Sequence, residues 1–347
     1  PSWVAAHLGK LLPWTFVAFE SFLGDLGDLG DQLIAVPSAQ PMIMADRALR
    51  DGRVWDTSTH PPVYREDKVQ GITLQYQGEA GDGQLLASPQ LLALLQKLDP
   101  RTSDVWRLLL AKGLENGVGQ LYAPIKVDVR ELARALGYKP HAKGGMKPEH
   151  LKEIAEALEH IERLRIHITS EAKVLEYDIG QPRRKHQRLE EAREERILAI
   201  MAKTQQRQLL GATHYMQWEL ALGKWVRFFD RSYAPIFRAL VELPARGVSI
   251  WAKQIGTELA YLYRQDSRPD AENEGARRTV KRVRVKTLLE RACLMPDVEA
   301  MRATVERARE LGAVVASDEC YMGLGWDDEN PPVSILDPRV TDGDNTG

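Results

Sequence analysis

The sequence predicts an α+β fold, mainly helical. Two patterns carry that prediction: long stretches with apolar residues at helical spacing, and shorter runs that alternate apolar and polar with period two. Composition agrees. The 347 residues are 44% hydrophobic and 28% charged, a globular balance with room for two or three domains.

Taken in chain order, residues 3–23 are apolar but broken by His7, Lys10, Pro13 and Glu20. They suit neither a membrane span nor a secretion signal, and no membrane role is expected. "GDLGDLGD" at 24–31 reads as a loop. The chain begins with Pro1, which suggests a processed or cut product, and Met42 and Met44 are candidate starts. Residues 1–50 are therefore expected to be an extension, disordered in whole or part.

A first domain is expected over 51–230. "GITLQYQG" at 71–78 alternates as a strand. "SPQLLALLQKLDPRTSDVWRLLLAKGLENG" predicts two helices, the second capped by Thr102 or Ser103 and ended by Gly117. "YAPIKVD" at 122–128 is a strand, and "DVRELARALGY" at 128–138 a helix with Val129, Leu132, Ala133 and Leu136 inward. After the glycine-rich "HAKGGMKP" comes a helix at 148–164 with Leu151, Ile154, Ala155, Leu158 and Ile161 inward. "RLRIHIT" and "KVLEYDIG" read as a strand pair. The charge run at 183–196 is a solvated helix or a mobile wing. "ILAIMAKTQQRQ" and "THYMQWELALGKWVRFF" are two strands that would complete the domain's sheet. Helix, strand, helix, turn, helix, then hairpin is the order of a winged helix, and also of any small α+β domain.

The pattern restarts in a second domain over 231–321. "SYAPIFRALVEL" is expected to be a helix capped by Ser232, followed by a longer amphipathic helix at 247–265 and a polar loop at 266–275. A helix "DVEAMRATVERAREL" and a strand "AVVAS" come later. Two winged-helix domains in tandem, with short β-hairpins, is the simplest organisation. Residues 322–347 form a tail without a strong core pattern, expected to be disordered.

Charge is distributed unevenly. The net value of −2 alone predicts no polyanion partner. Yet between 277 and 291 stand Arg277, Arg278, Lys281, Arg282, Arg284, Lys286 and Arg291, opposed only by Glu290. Such a stripe binds phosphates by releasing condensed counterions, and arginine adds a planar fork for phosphate or guanine. The bland reading is a solvated helix. A weaker patch, Lys143, Lys147, His150 and Lys152, leads into the helix at 148–164, whose acids Glu149, Glu153, Glu156 and Glu159 would repel a groove beyond its first turn. The aromatics Trp218, Trp225, Trp251 and Tyr261 are read as core rather than as base-stacking platforms. Two cysteines, Cys293 and Cys320, point to a reducing, cytoplasmic setting, and no metal-binding spacing is present.

Residues about 95–295 resemble plasmid replication initiators of the tandem winged-helix kind, through "VDVRELARALGY", "LGKWVRFFDRSYAPIFRALVELPARGVSIWAKQIGTELAYLYRQD" and "RRTVKRVRVKTLLERACL". The resemblance implies a bacterial protein without catalytic activity or cofactor. It would bind double-stranded DNA at origin repeats and engage the host helicase or initiator, with a homodimer as a further assembly. A winged-helix transcription regulator is the alternative. Residues about 297–347, with "ASDECYMGLGW", look like a fragment of a succinyldiaminopimelate-type aminotransferase. That resemblance implies an aspartate, here Asp318, on the pyridinium nitrogen of pyridoxal phosphate and a tyrosine, here Tyr321, on its phenolic oxygen. The Schiff-base lysine of that family is not reached before Gly347, so the tail is expected to be inactive.

Overall fold

The computed structural model describes residues 32–67, 69–78, 84–116, 120–141, 145–170, 172–176, 185–188, 193–207, 213–228, 233–245, 248–266 and 285–295. The chain divides into two compact units, Pro1–Cys293 and Leu294–Gly347. Every element below belongs to the first.

The fold is α+β, as expected. Strand β1 (Leu33–Pro37) leads into helix α1 (Gln40–Ala48), which starts on Pro41 in its first turn. Strands β2 (Val63–Tyr64) and β3 (Ile72–Tyr76) follow, then helices α2 (Ser88–Leu95) and α3 (Pro100–Leu114). The cap of α3 is neither Thr102 nor Ser103. Asp99 accepts from Thr102 N at 2.9 Å, and Pro100 takes the first helical position, where no donor is needed.

Strand β4 (Ile125–Asp128) runs directly into helix α4 (Val129–Ala135), capped by Asp128 accepting from Arg130 N at 2.7 Å. Gly137, at φ +79°, ends α4 in a Schellman turn: Gly137 N donates to Arg134 O and Tyr138 N to Ala133 O, both at 3.0 Å. A Cβ at Gly137 would stand 2.8 Å from Glu242 O. Helix α5 (Pro148–Glu162) buries Leu151, Ile154, Ala157, Leu158, His160 and Ile161, with Ala157 taking the inward place expected for Ala155.

Helix α5 passes straight into strand β5 (Leu164–Ile168). Its expected partner was the next run, but β5 lies between β3 and β8 (Arg193–Arg196) in a sheet ordered β2–β3–β5–β8. The register explains the choice. Ile72 faces Ile168, Leu74 faces Ile166 and Tyr76 faces Leu164, and all six are buried. The next run forms β6 (Lys173–Glu176) and pairs with β7 (Lys185–Arg188). Among its described residues the charge run at 183–196 therefore holds strands β7 and β8 rather than a helix.

Strands β9 (Leu198–Arg207) and β10 (Thr213–Leu222) form the long hairpin read from the sequence, and their sheet is ordered β4–β10–β9. Strand β11 (Tyr233–Phe237) corrects a second expectation: "YAPIF" is a strand, not the start of a helix, and the expected cap Ser232 lies outside the described residues. It pairs antiparallel with β1, Val36 opposite Ala234 and Ile34 opposite Ile236, all buried. Residues 33–50, expected within a loose extension, are thus a strand and a core helix whose Met42, Ile43 and Met44 are wholly buried. Short helix α6 (Arg238–Glu242), helix α7 (Val248–Asp266) and helix α8 (Val285–Arg291) complete the described chain. No helix among the described residues is long and apolar enough to cross a membrane.

Candidate nucleic-acid interface

The turn between α4 and α5, the first turn of α5 and the β9–β10 hairpin sit on one framework. β4 precedes α4 directly, and β10 pairs with β4 through Trp218 opposite Val127 and Leu220 opposite Ile125. All four side chains are buried, so hairpin and helices share one core.

Three of the expected contact residues are described with their side chains. Lys147 occupies the N-cap position of α5 without a side-chain cap bond and is exposed. Lys152 is exposed and pairs with Glu156 at 3.7 Å, one turn on. His150 is half-buried. Its ring stacks on Tyr138 with centroids 4.1 Å apart, and Nδ1 has no hydrogen-bond partner. Tyr138 in turn donates to Glu153 and lies under the Arg101 guanidinium, 4.8 Å from the ring centroid.

His150, Tyr138, Glu153 and Arg101, but neither Lys147 nor Lys152, line a cleft of about 470 Å³ between α3, the α4–α5 turn, α5 and the end of α6. Its ionisable lining favours acid, with Asp99, Glu153, Glu156 and Glu242 against Lys97 and Arg101. Such walls repel phosphate. His150 therefore faces a cleft unsuited to DNA, while Lys147 and Lys152 stand at the exposed start of α5. Glu149 shares that first turn, and farther along Glu153 and Glu156 are exposed while Glu159 pairs with Lys203 of β9 at 2.9 Å.

Lys143, Arg277, Arg278, Lys281, Arg282 and Arg284 lie outside the described residues. Lys286 falls on α8, where only its backbone is described. Asp318 and Tyr321 also lie outside.

Three of the four aromatics resolve as core, while Trp251 is half-buried. Trp218 is 1% exposed and Trp225 and Tyr261 are buried, with the Lys203 ammonium 4.3 Å from the Trp218 ring centroid. Sequence reading missed a buried set of charges on α1, α3 and α7. Its only local signal was spacing: Asp46 and Arg50 are four residues apart, Asp104 and Arg107 three.

No family model matches the chain, and no solved structure matches it. Short stretches do match curated proteins. Fifty residues, 14% of this chain and 12% of the other, are 60% identical to the "Probable aminotransferase" of Mycobacterium tuberculosis. Fifty-one residues, 15% of this chain and 14% of the other, are 46% identical to the 4-dedimethylamino-4-oxo-anhydrotetracycline transaminase of Streptomyces rimosus. The matched stretch spans about an eighth of the first relative's length. The chain therefore contains a short aminotransferase-like segment.

Proposed function

We propose that residues up to about 295 are a double-stranded DNA-binding protein of the replication-initiator kind, acting at repeated origin sequences. One observation carries the reading furthest. Elements α3, β4, α4, α5, β9 and β10 follow one another in winged-helix order, and their sheet runs β4–β10–β9, so the hairpin's second strand lies beside the strand that precedes the two helices. Strands β5 to β8 are then an insertion between the second helix and the hairpin.

The acid-rich face of α5 moves the weight of binding to the basic run at 277–291, with Lys147 and Lys152 as flanking phosphate contacts. Phosphate contacts would supply affinity and register, and a few arginine forks the base reading. A host helicase and a second copy of the chain are the further partners of this reading.

Fluorescence anisotropy with a duplex of direct repeats tests it. Affinity should fall at least a hundredfold between about 50 and 200 mM salt, as counterion release at several phosphates requires. The double variant Arg282→Ala, Arg284→Ala should bind severalfold more weakly. Salt-independent affinity, or a double variant equal to wild type, removes the basic run from the interface. A transcription regulator would bind the duplex equally well but leave its thymines unreactive to permanganate, whereas an initiator exposes them.

A second reading attaches to the aminotransferase-like segment. Its length is that of the tail from about 297 to 347, and the resemblance assigns Asp318 and Tyr321 to pyridoxal phosphate. Absorbance near the aldimine band after pyridoxal phosphate is added to the full chain tests this second reading.

A further inference from the structure

Helix α7 buries an unusual face. Lys253, Gln254, Thr257 and Glu258 are all buried there, accompanied by Tyr261 and Leu262. Across from them, α1 presents Asp46 and Arg47, Arg50 follows just beyond its end, and α3 presents Asp104 and Arg107. Lys253 Nζ donates to Asp104 and, at 3.0 Å, to Val241 O of α6. Glu258 accepts from Arg47 Nη2 at 2.6 Å and pairs with Arg50 Nη1 at 2.8 Å. Arg50 also pairs with Asp46, which Arg107 Nε approaches to 2.8 Å. Arg47 reaches back to Glu66 at 2.9 Å. Four acids (Asp46, Glu66, Asp104, Glu258) meet five bases (Arg47, Arg50, Arg101, Arg107, Lys253), Arg101 standing 3.8 Å from Asp104, so each charge in the seam faces an opposite one. Arg50 Nη1 also donates to Arg291 O at the end of α8, at 3.4 Å.

A seam that never opened would gain nothing from this chemistry. Well-packed apolar residues of similar volume commonly serve as well or better than buried ion pairs. The charges matter when the seam parts. An apolar face leaving its partner exposes oily surface to water, whereas these groups regain their hydration as they separate. Loss of a single partner is the opposite case, because the remaining charge stays buried and unpaired. The arrangement therefore favours two states, fully docked and fully released. Polar contacts of this kind also mark boundaries between parts of a chain that move relative to one another.

We propose that α6, α7 and α8 form a docked arm that lifts from the α1–α3 face as a unit while the rest of the fold stays intact. In sequence the basic run begins between α7 and α8 and ends in α8; the docking equilibrium does not depend on the DNA reading above.

Hydrogen exchange on the full chain, without DNA, reads the equilibrium directly. Amides of α7 should exchange at least tenfold faster than those of α3 and α5. The double variant Asp104→Leu, Lys253→Met replaces the pair across the seam by apolar contact; it also removes the 2.6 Å pair of Asp104 with Arg107 inside α3, but Arg107 keeps Asp46, and exchange in α7 should slow at least tenfold. Equal protection of α7, α3 and α5 in the wild type overturns the proposal, because the arm would then open only on global unfolding. Unchanged α7 exchange in a folded double variant overturns the role given to the ion pairs. If the double variant does not fold, the wild-type ratio decides alone. Failure of DNA binding would not alter either measurement.

Discussion

His160 shows how one side chain acquires a role that its type does not announce. It sits on the buried face of α5, and its Nδ1 lies 2.5 Å from the hydroxyl of Tyr76 on β3. Burial, reinforced by Arg163 and Lys97, pushes the imidazole down to about 4. The ring is therefore neutral at physiological pH and shares a hydrogen bond through Nδ1 with the Tyr76 hydroxyl. In the unfolded chain His160 titrates near 6.5, so between 6.5 and about 4 the unfolded state binds the extra proton. Stability is then complete above 6.5 and falls as pH drops toward 4, by up to about 3 kcal/mol from this residue. His160→Gln keeps an acceptor for Tyr76 but does not titrate. Urea midpoints from pH 7 to 4 should fall less steeply in that variant; parallel curves would mean that His160 does not titrate in this window. Spacing along α5 names no partner for His160; the pairing of β3 with β5, the strand that α5 leads into, brought Tyr76 within reach.

At the scale of elements, periodicity carried well where one face decided the outcome. Val129, Leu132, Ala133 and Leu136 are buried as their spacing required, and the β9–β10 hairpin forms where two strands were read. Errors came where local pattern was ambiguous. "SYAPIFRALVEL" has enough apolar residues for either state, and pairing with β1 pulls its first half into a strand. The cap of α3 was misplaced because three oxygen-bearing residues crowd the start. Asp99 holds the position, so Asp99→Ala should cost about 1 kcal/mol, read from thermal or denaturant unfolding. Thr102→Ala leaves the backbone donor to Asp99 in place and should cost less; equal losses would make the two oxygens equivalent.

For the molecule as a whole, closure of the chain on itself is the feature that composition hides. β1 lies nearly two hundred residues from β11, yet the two strands pair over Leu33–Pro37 and Tyr233–Phe237. A chain begun at Met42 or Met44 would lack β1, leave Ala234 and Ile236 uncovered and start inside α1. Loss of the buried Ile34 and Val36 alone should cost roughly 3–6 kcal/mol, a large share of a domain's usual stability. Far-ultraviolet circular dichroism with thermal melting of such a truncated chain should show a strongly lowered transition or none. A melt equal to that of the full chain would make β1 dispensable.

By itself, the sequence determined the α+β class, most helix positions, the aromatic core and the imbalance of charge near residue 280. Each of these follows from composition or from periodicities that a short window contains. Only the tertiary structure decided that β5 pairs with β3 rather than with β6, that α1 belongs to the core, and that Arg47, Arg50, Asp104, Lys253 and Glu258 meet in one buried seam. Strand partners and ion pairs so far apart in sequence are chosen by competition among whole-chain packings, and no local pattern records the winner.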